Sequence, residues 1–260
     1  MRSPTPGNGQ FLLPSAIALD SSGNVWVADA SLNRIQKFDP SGNYLLQFGS
    51  TGLASGFLYQ PYGLALDRYG NVWVVDTGNS RLEQFSPTGV FLQQVGGLGG
   101  GNGQFNSPIG ITIDSSNNIW VADTQNNRIQ KFSATGSTGV PSTVTYLLKF
   151  GNYGNGNGQF RGIYNLASDP SGNIWVADSQ NQRVQEFNAS GAFVQSVLGP
   201  FSYPTPYGVS VDNNGNVWAV DYNINKVMEF NSITGAKILT FGTTGGGPGQ
   251  LFQPTYIAAH

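Results

Sequence analysis

The sequence predicts an all-β fold, a β-propeller built from four-stranded antiparallel blades. Three observations predict it. The stretch GNVWVAD (23–29) returns as GNVWVVD (70–76), NNIWVAD (117–123), GNIWVAD (172–178) and GNVWAVD (215–221), and all five tryptophans of the chain fall inside it. Successive tryptophans stand 47, 47, 55 and 43 residues apart. Each unit carries four strand-like runs joined by short turns, and four antiparallel strands recurring every 40 residues or so, about one blade's length, mark a propeller.

In the first unit the strands are SAIALD (15–20), NVWVAD (24–29), RIQKF (34–38) and YLLQFG (44–49). Between them lie SSG, ASLN and DPSGN, residues that suit tight hairpin turns. In NVWVAD, Val25 and Val27 face one side and Trp26 and Ala28 the other, so both faces are apolar. Such a strand has to be covered on both sides, as a blade is between two others. No run shows a 3.6-residue apolar period, so no helix of consequence is expected. The units span about 14–49, 61–96, 108–151, 163–199 and 206–242, within a single domain over 1–260. After the fifth, GPGQLFQPTYIAAH restarts the pattern as a partial unit at 254–260, the innermost strand of a sixth blade. The ring then closes with five blades, or it is of a six-bladed type, incomplete or completed by a partner.

Composition narrows the function classes. The net charge is −2 and no window gathers Lys and Arg, which argues against nucleic acid and against a polybasic membrane surface. There is no cysteine, which excludes disulfides and thiolate chemistry. No apolar run is long enough for a spanning helix, and MRSPTPGNGQ does not read as a signal peptide. The low charge and the Asn- and Gly-rich turns suggest an extracellular or cell-surface setting.

The units PYGLALDRYGNVWVVDTGNSRLEQF (61–85) and PSGNIWVADSQNQRVQEF (170–187) resemble NHL repeats. The marks are an Asp closing the first strand, a G-N-V/I-W opening to the second, and a D-x-x-x-x-R/K link into the third. The resemblance covers about residues 7–260 and implies a propeller, usually of six blades, often an interaction or sensor module. Some members of this family bind RNA through a basic face, which this chain lacks.

Ten of the fourteen acidic residues occupy repeat positions. Asp29, Asp76, Asp123, Asp178 and Asp221 each precede a base by five residues, namely Arg34, Arg81, Arg128, Arg183 and Lys226. A ring of carboxylates could hold a metal. An arrangement repeated once per blade instead reads as turn bracing, each Asp accepting backbone N–H bonds and pairing with its base across the hairpin. Trp26, Trp73, Trp120, Trp175 and Trp218 likewise read as packing between blades rather than as an aromatic cage. The connectors GGLGGGNGQF (96–105), GNYGNGNGQF (151–160) and GTTGGGPGQL (242–251) precede strands, not helices, so they read as flexible crossings rather than phosphate loops. The insertion SATGSTGVPSTVTYLLKFG (133–151) reads as an exposed hairpin tip, and Asn188-Ala-Ser190 is a lone glycosylation sequon.

Function is sought where the units differ. The start of each first strand faces one mouth of a propeller's channel. There stand Tyr62, Ile109, Tyr164 and Tyr207, with Asn165 and Tyr256 one place further on. Tyrosine offers rigid amphipathic contact area, so these six residues are the candidate binding site for a protein, glycan or small molecule. No catalytic residue and no cofactor is assigned. His260 is the single histidine, so the histidine-dependent chemistry of related-looking propeller lyases has no counterpart. Two alternatives remain at this point. One is a propeller hydrolase or lyase, lactonase-like, using calcium held by Asp, Asn and carbonyl oxygens. The other is a structural unit that self-associates through an open blade edge.

Overall fold

A computed structural model of the chain describes residues 6–197 and 205–259. Five four-stranded antiparallel sheets stand in a ring as the blades of a β-propeller. Blade 1 holds β1 (Pro14–Leu19), β2 (Val25–Asp29), β3 (Arg34–Phe38) and β4 (Tyr44–Phe48). Blade 2 holds β5 (Pro61–Leu66), β6 (Val72–Asp76), β7 (Arg81–Phe85) and β8 (Phe91–Val95). Blade 3 holds β9 (Ile111–Ile113), β10 (Asn118–Asp123), β11 (Arg128–Thr135) and β12 (Thr143–Phe150). Blade 4 holds β13 (Ile163–Ser168), β14 (Ile174–Asp178), β15 (Arg183–Phe187) and β16 (Phe193–Val197). Blade 5 holds β17 (Pro206–Val211), β18 (Val217–Asp221), β19 (Lys226–Phe230) and β20 (Lys237–Phe241).

The first strands approach one another around the axis, and small residues permit this. A Cβ on Gly110 would lie 2.9 Å from the Asn165 Cα of the next blade. One on Gly208 would lie 2.9 Å from the Tyr256 Cα. Residues 254–259 therefore take the next inner place, between blades 5 and 1. Ala259 N–H donates to Ser210 Oγ at 2.9 Å, and Tyr256 packs on the cluster containing Ala16 and Leu64. The segment runs without a ladder, since no second strand lies beside it. The sixth inner strand expected there is thus an irregular segment, and among the described residues the ring has five four-stranded blades.

The core lies between blades. Trp26 packs with Leu64, Val72 and Val74 of blade 2, and Trp120 with Leu166, Ile174 and Val176 of blade 4. Four of the tryptophans are fully enclosed, while Trp218 is half-buried because no blade covers its outward face. The same absence leaves Val25 and Val27 half-buried, whereas their counterparts Val72 and Val74 are fully enclosed, and it leaves β20 exposed throughout.

Each first-strand Asp also binds its blade's tryptophan. The indole N–H of Trp26, Trp73, Trp120, Trp175 and Trp218 donates to Asp20, Asp67, Asp114, Asp169 and Asp212 at 2.9–3.5 Å. Hydrogen bonds from Asn24, Lys37 and Trp26 outweigh the upward pull of burial and hold the Asp20 carboxyl down at about 2.

The second-strand carboxylates pair with their bases in three blades only. Arg81, Arg128 and Arg183 reach Asp76, Asp123 and Asp178 at 2.7–2.8 Å; the first two pairs are buried and Arg183 is half-buried. Asn79, Asn126 and Asn181, each in a short 3-10 turn, donate to the same carboxylates. Blades 1 and 5 carry Leu32 and Ile224 at that place, and there the backbone N–H of the apolar residue turns onto Asp29 or Asp221 instead. Arg34 then bonds Gln47 and the carbonyls of Gly7 and Gln10, and Lys226 bonds the Gly242 carbonyl.

One loop expectation is corrected, and a second is extended. The connectors are folded, not flexible. Arg128 donates to the carbonyls of Gly100, Gly101 and Gln104, and Phe105 N–H closes a turn on Gly97. At Gly96, φ is +85° and a Cβ would collide with the Phe105 ring, so only glycine fits. The tip of the inserted hairpin is exposed over residues 135–141, as expected, and its flank also docks on blade 2. Gln84 and Ser142 exchange two hydrogen bonds, Gln93 binds the Ser142 carbonyl, and Asn71 bridges Ser137 and Gly139. Its backbone groups find partners on blade 2 instead of in water.

Candidate functional site

Four first strands begin with a β-bulge. The register shifts between Pro14 and Ala16, Pro61 and Gly63, Ile163 and Asn165, and Pro206 and Gly208. The bulged residues are Ser15, Tyr62, Tyr164 and Tyr207. A bulge leaves its residue out of the ladder and re-aims the side chain, so three tyrosines leave the sheets at the same end of the ring. In blade 3, β9 starts later, and Ile109 lies before it with its N–H on the Ala122 carbonyl.

The bulges surround one cavity of about 950 Å³. Tyr62, Ile109, Tyr164, Asn165, Tyr207 and Tyr256 all line it. Pro254, Thr255 and Gln253 of the irregular segment form another part of the wall, with Phe11, Leu13 and Val27 beside blade 1. No lining side chain is charged. Tyr256 and Ile17 also line a second cavity, of about 500 Å³, at the opposite end of the channel. Tyr256 thus stands between the two.

One wall is a stack of rings. Tyr164 and Tyr207 have centroids 4.2 Å apart, and Tyr207 and Tyr222 lie 4.6 Å apart at an interplanar angle of 24°. Burial, helped by the neighbouring phenols of Tyr164 and Tyr222, pushes the Tyr207 hydroxyl well above its usual value, so it stays protonated. Tyr256 is raised by burial too, and its hydroxyl lies beside the Asn165 amide. Asn165 is 2% exposed, and its Oδ1 accepts no hydrogen bond. Tyr222 was missed in the sequence. It follows Asp221 where the other units have Ala30, Thr77, Thr124 and Ser179, so an aromatic at an otherwise small position was the available signal.

The remaining candidates lie elsewhere. The five tryptophans and the Asp–Arg positions belong to the blades, away from this cavity. Among the described residues no three His, Asp or Glu side chains converge as a cation would need. His260 lies outside the described residues. Glu83 is enclosed in β7 against Arg81 at 2.7 Å, and burial pushes its carboxyl up to about 7.

Comparison with known proteins agrees with this architecture. The NHL repeat model matches residues 11–38, 105–132 and 166–187. Protein brain tumor from Drosophila melanogaster is 40% identical over 53 residues, which span 20% of this chain and 5% of that protein. A streptogramin B lyase structure superposes with a TM-score of 0.70 at 21% identity, covering 99% of this chain and 75% of that one. A virginiamycin B lyase from Staphylococcus aureus gives 0.64 at 18%, covering 95% and 74%. A nidogen/laminin complex structure gives 0.65 at 18%, covering 88% and 79%. At these identities the structures share the fold. The ring of four-stranded blades is thus a β-propeller, and three of its stretches match the NHL repeat.

Proposed function

We propose that the chain is a non-enzymatic binding module that holds its ligand at the tyrosine-lined mouth of the channel. The carrying observation is that the side chains re-aimed by three bulges, with Ile109, Asn165 and Tyr256, meet on one large uncharged cavity. Its volume is at the upper end of the range for small-ligand sites, about 300–1,000 Å³. Rigid aromatic walls with few polar groups suit recognition, while no nucleophile–base pair lies among them. Low charge and Asn-rich turns favour an extracellular or surface setting.

The test is a ligand-observed NMR screen of small neutral fragments against the wild type and a Tyr62→Ala/Tyr164→Ala/Tyr207→Ala variant of equal fold content. Fragments that bind only the wild type support the reading. Equal binding to both overturns it.

The exposed β20 and the half-covered face of β2 favour a second reading, self-association through these surfaces. Sizing chromatography across a hundredfold concentration range tests it, and a monomer throughout rejects it.

A further inference from the structure

We infer that the ligand of this mouth is a neutral carbohydrate, bound with a sugar ring against the tyrosine stack and a hydroxyl donating to Asn165. This inference rests on the mouth being the binding site. Three features of the cavity select the class.

The first is charge. No Lys, Arg, Asp, Glu or His lines the cavity, so a carboxylated, phosphorylated or cationic ligand would leave water without a counter-charge to receive it. The second is the platform. Tyr207 stacks on Tyr222 at 4.6 Å and meets Tyr164 at 4.2 Å with a tilt of 34°, so the three rings hold one another in place. The face of an aromatic ring is electron-rich, and the axial C–H groups of a pyranose present it with a weakly positive, flat surface. Stacked tyrosines lose little side-chain freedom on binding because their neighbours already fix them.

The third is the orphan acceptor. Asn165 Oδ1 is enclosed and receives no donor. Other units have small residues at this place, Ala16, Gly63, Gly110 and Gly208, so the amide is not required by the blade's geometry. A buried acceptor without a partner is costly. A ligand that brings an O–H satisfies it, and a purely apolar aromatic ligand does not. The Thr255 hydroxyl and Gln253 amide in the same cavity add further uncharged donors and acceptors. A sugar ring, apolar on its faces and polyhydroxylated at its rim, meets all three conditions.

The experiment is isothermal titration of the whole chain with neutral hexasaccharides of glucose, xylose, mannose and galactose, and separately with toluene as an apolar aromatic probe. Variants are Tyr222→Ala and Asn165→Gly, the latter placing at 165 the residue that its counterparts 63, 110 and 208 carry, so that folding is retained. The expected result is binding of at least one hexasaccharide, weakened at least tenfold by each variant. Toluene binding that Tyr222→Ala abolishes, with no hexasaccharide bound at millimolar concentration, overturns the carbohydrate class and leaves the mouth as a site. Hexasaccharide binding that neither variant changes overturns the placement. Absence of any binding to the wild type overturns this inference, and with a negative fragment screen the proposed function as well.

Discussion

The indole N–H of Trp120 donates to Asp114 Oδ2 at 2.9 Å, joining the second strand of blade 3 to the turn that ends the first. The same carboxylate takes the Asn118 side chain, and its other oxygen takes the backbone N–H groups of Ser116 and Asn118. The tryptophan therefore does two things. It fills the space between blades 3 and 4, and it braces its own hairpin.

Trp120→Ala removes both, and a loss of roughly 3–5 kcal/mol in urea unfolding is expected. Trp120→Phe keeps most of the packing but leaves Asp114 short of one donor, so a loss of about 1–2 kcal/mol should remain. An unchanged midpoint for Trp120→Ala would falsify the packing role.

The buried pair Arg128–Asp123 is expected to matter far more than its counterpart in blade 5. Arg128→Met strips the carboxylate of its charge partner and frees three connector carbonyls, for an expected loss of about 3–5 kcal/mol. Lys226→Met removes a single bond to the Gly242 carbonyl, for about 1 kcal/mol. Urea melts of the two variants side by side check the ordering.

Glu83 predicts a pH slope. Its folded pKa, about 7, lies above the ordinary value of 4.5 because burial disfavours the charge more than Arg81 and the Gly56 N–H favour it. Between pH 4.5 and 7 the folded state thus holds a proton that the unfolded state has lost, and this contribution to stability falls as pH rises. Asp20, held at about 2 in the fold against an ordinary 3.8, acts in the opposite sense: its contribution is full above pH 4 and is lost as pH drops toward 2. Thermal melts of Glu83→Gln should show a flatter profile than wild type between pH 4.5 and 7. Parallel profiles would reject the assignment.

The docked insertion makes a prediction about exchange. Ser142 N–H is buried on Gln84 Oε1 at 2.9 Å, and Gly139 N–H is bound to Asn71 Oδ1 at 2.7 Å. Both amides should exchange slowly with solvent, unlike those of a free loop. Ser142→Ala leaves Gln84 Nε2 with a single strained acceptor at 3.4 Å, and a loss of about 1–3 kcal/mol is expected.

The repeat by itself determined the blades. Strand length, turn residues and the two-sided apolar character of NVWVAD are local properties of the chain, and they dictate four-stranded sheets stacked face on face. The low charge of the composition and the place of the variable tyrosines were legible for the same reason. The tertiary structure decided what depends on contacts between units. A bulge at Tyr62, Tyr164 and Tyr207 is a mismatch between two strands and leaves no mark in either one. Tyr222 joins the stack because antiparallel pairing sets Pro206 opposite Asp221 and so brings the end of β18 beside Tyr207, fifteen residues away. The division of the Asp–Arg positions into three paired and two unpaired blades turns on a neighbouring Asn being Leu or Ile. In each case a side chain's partner comes from another strand or blade, and only the folded ring brings the two within hydrogen-bond or stacking distance.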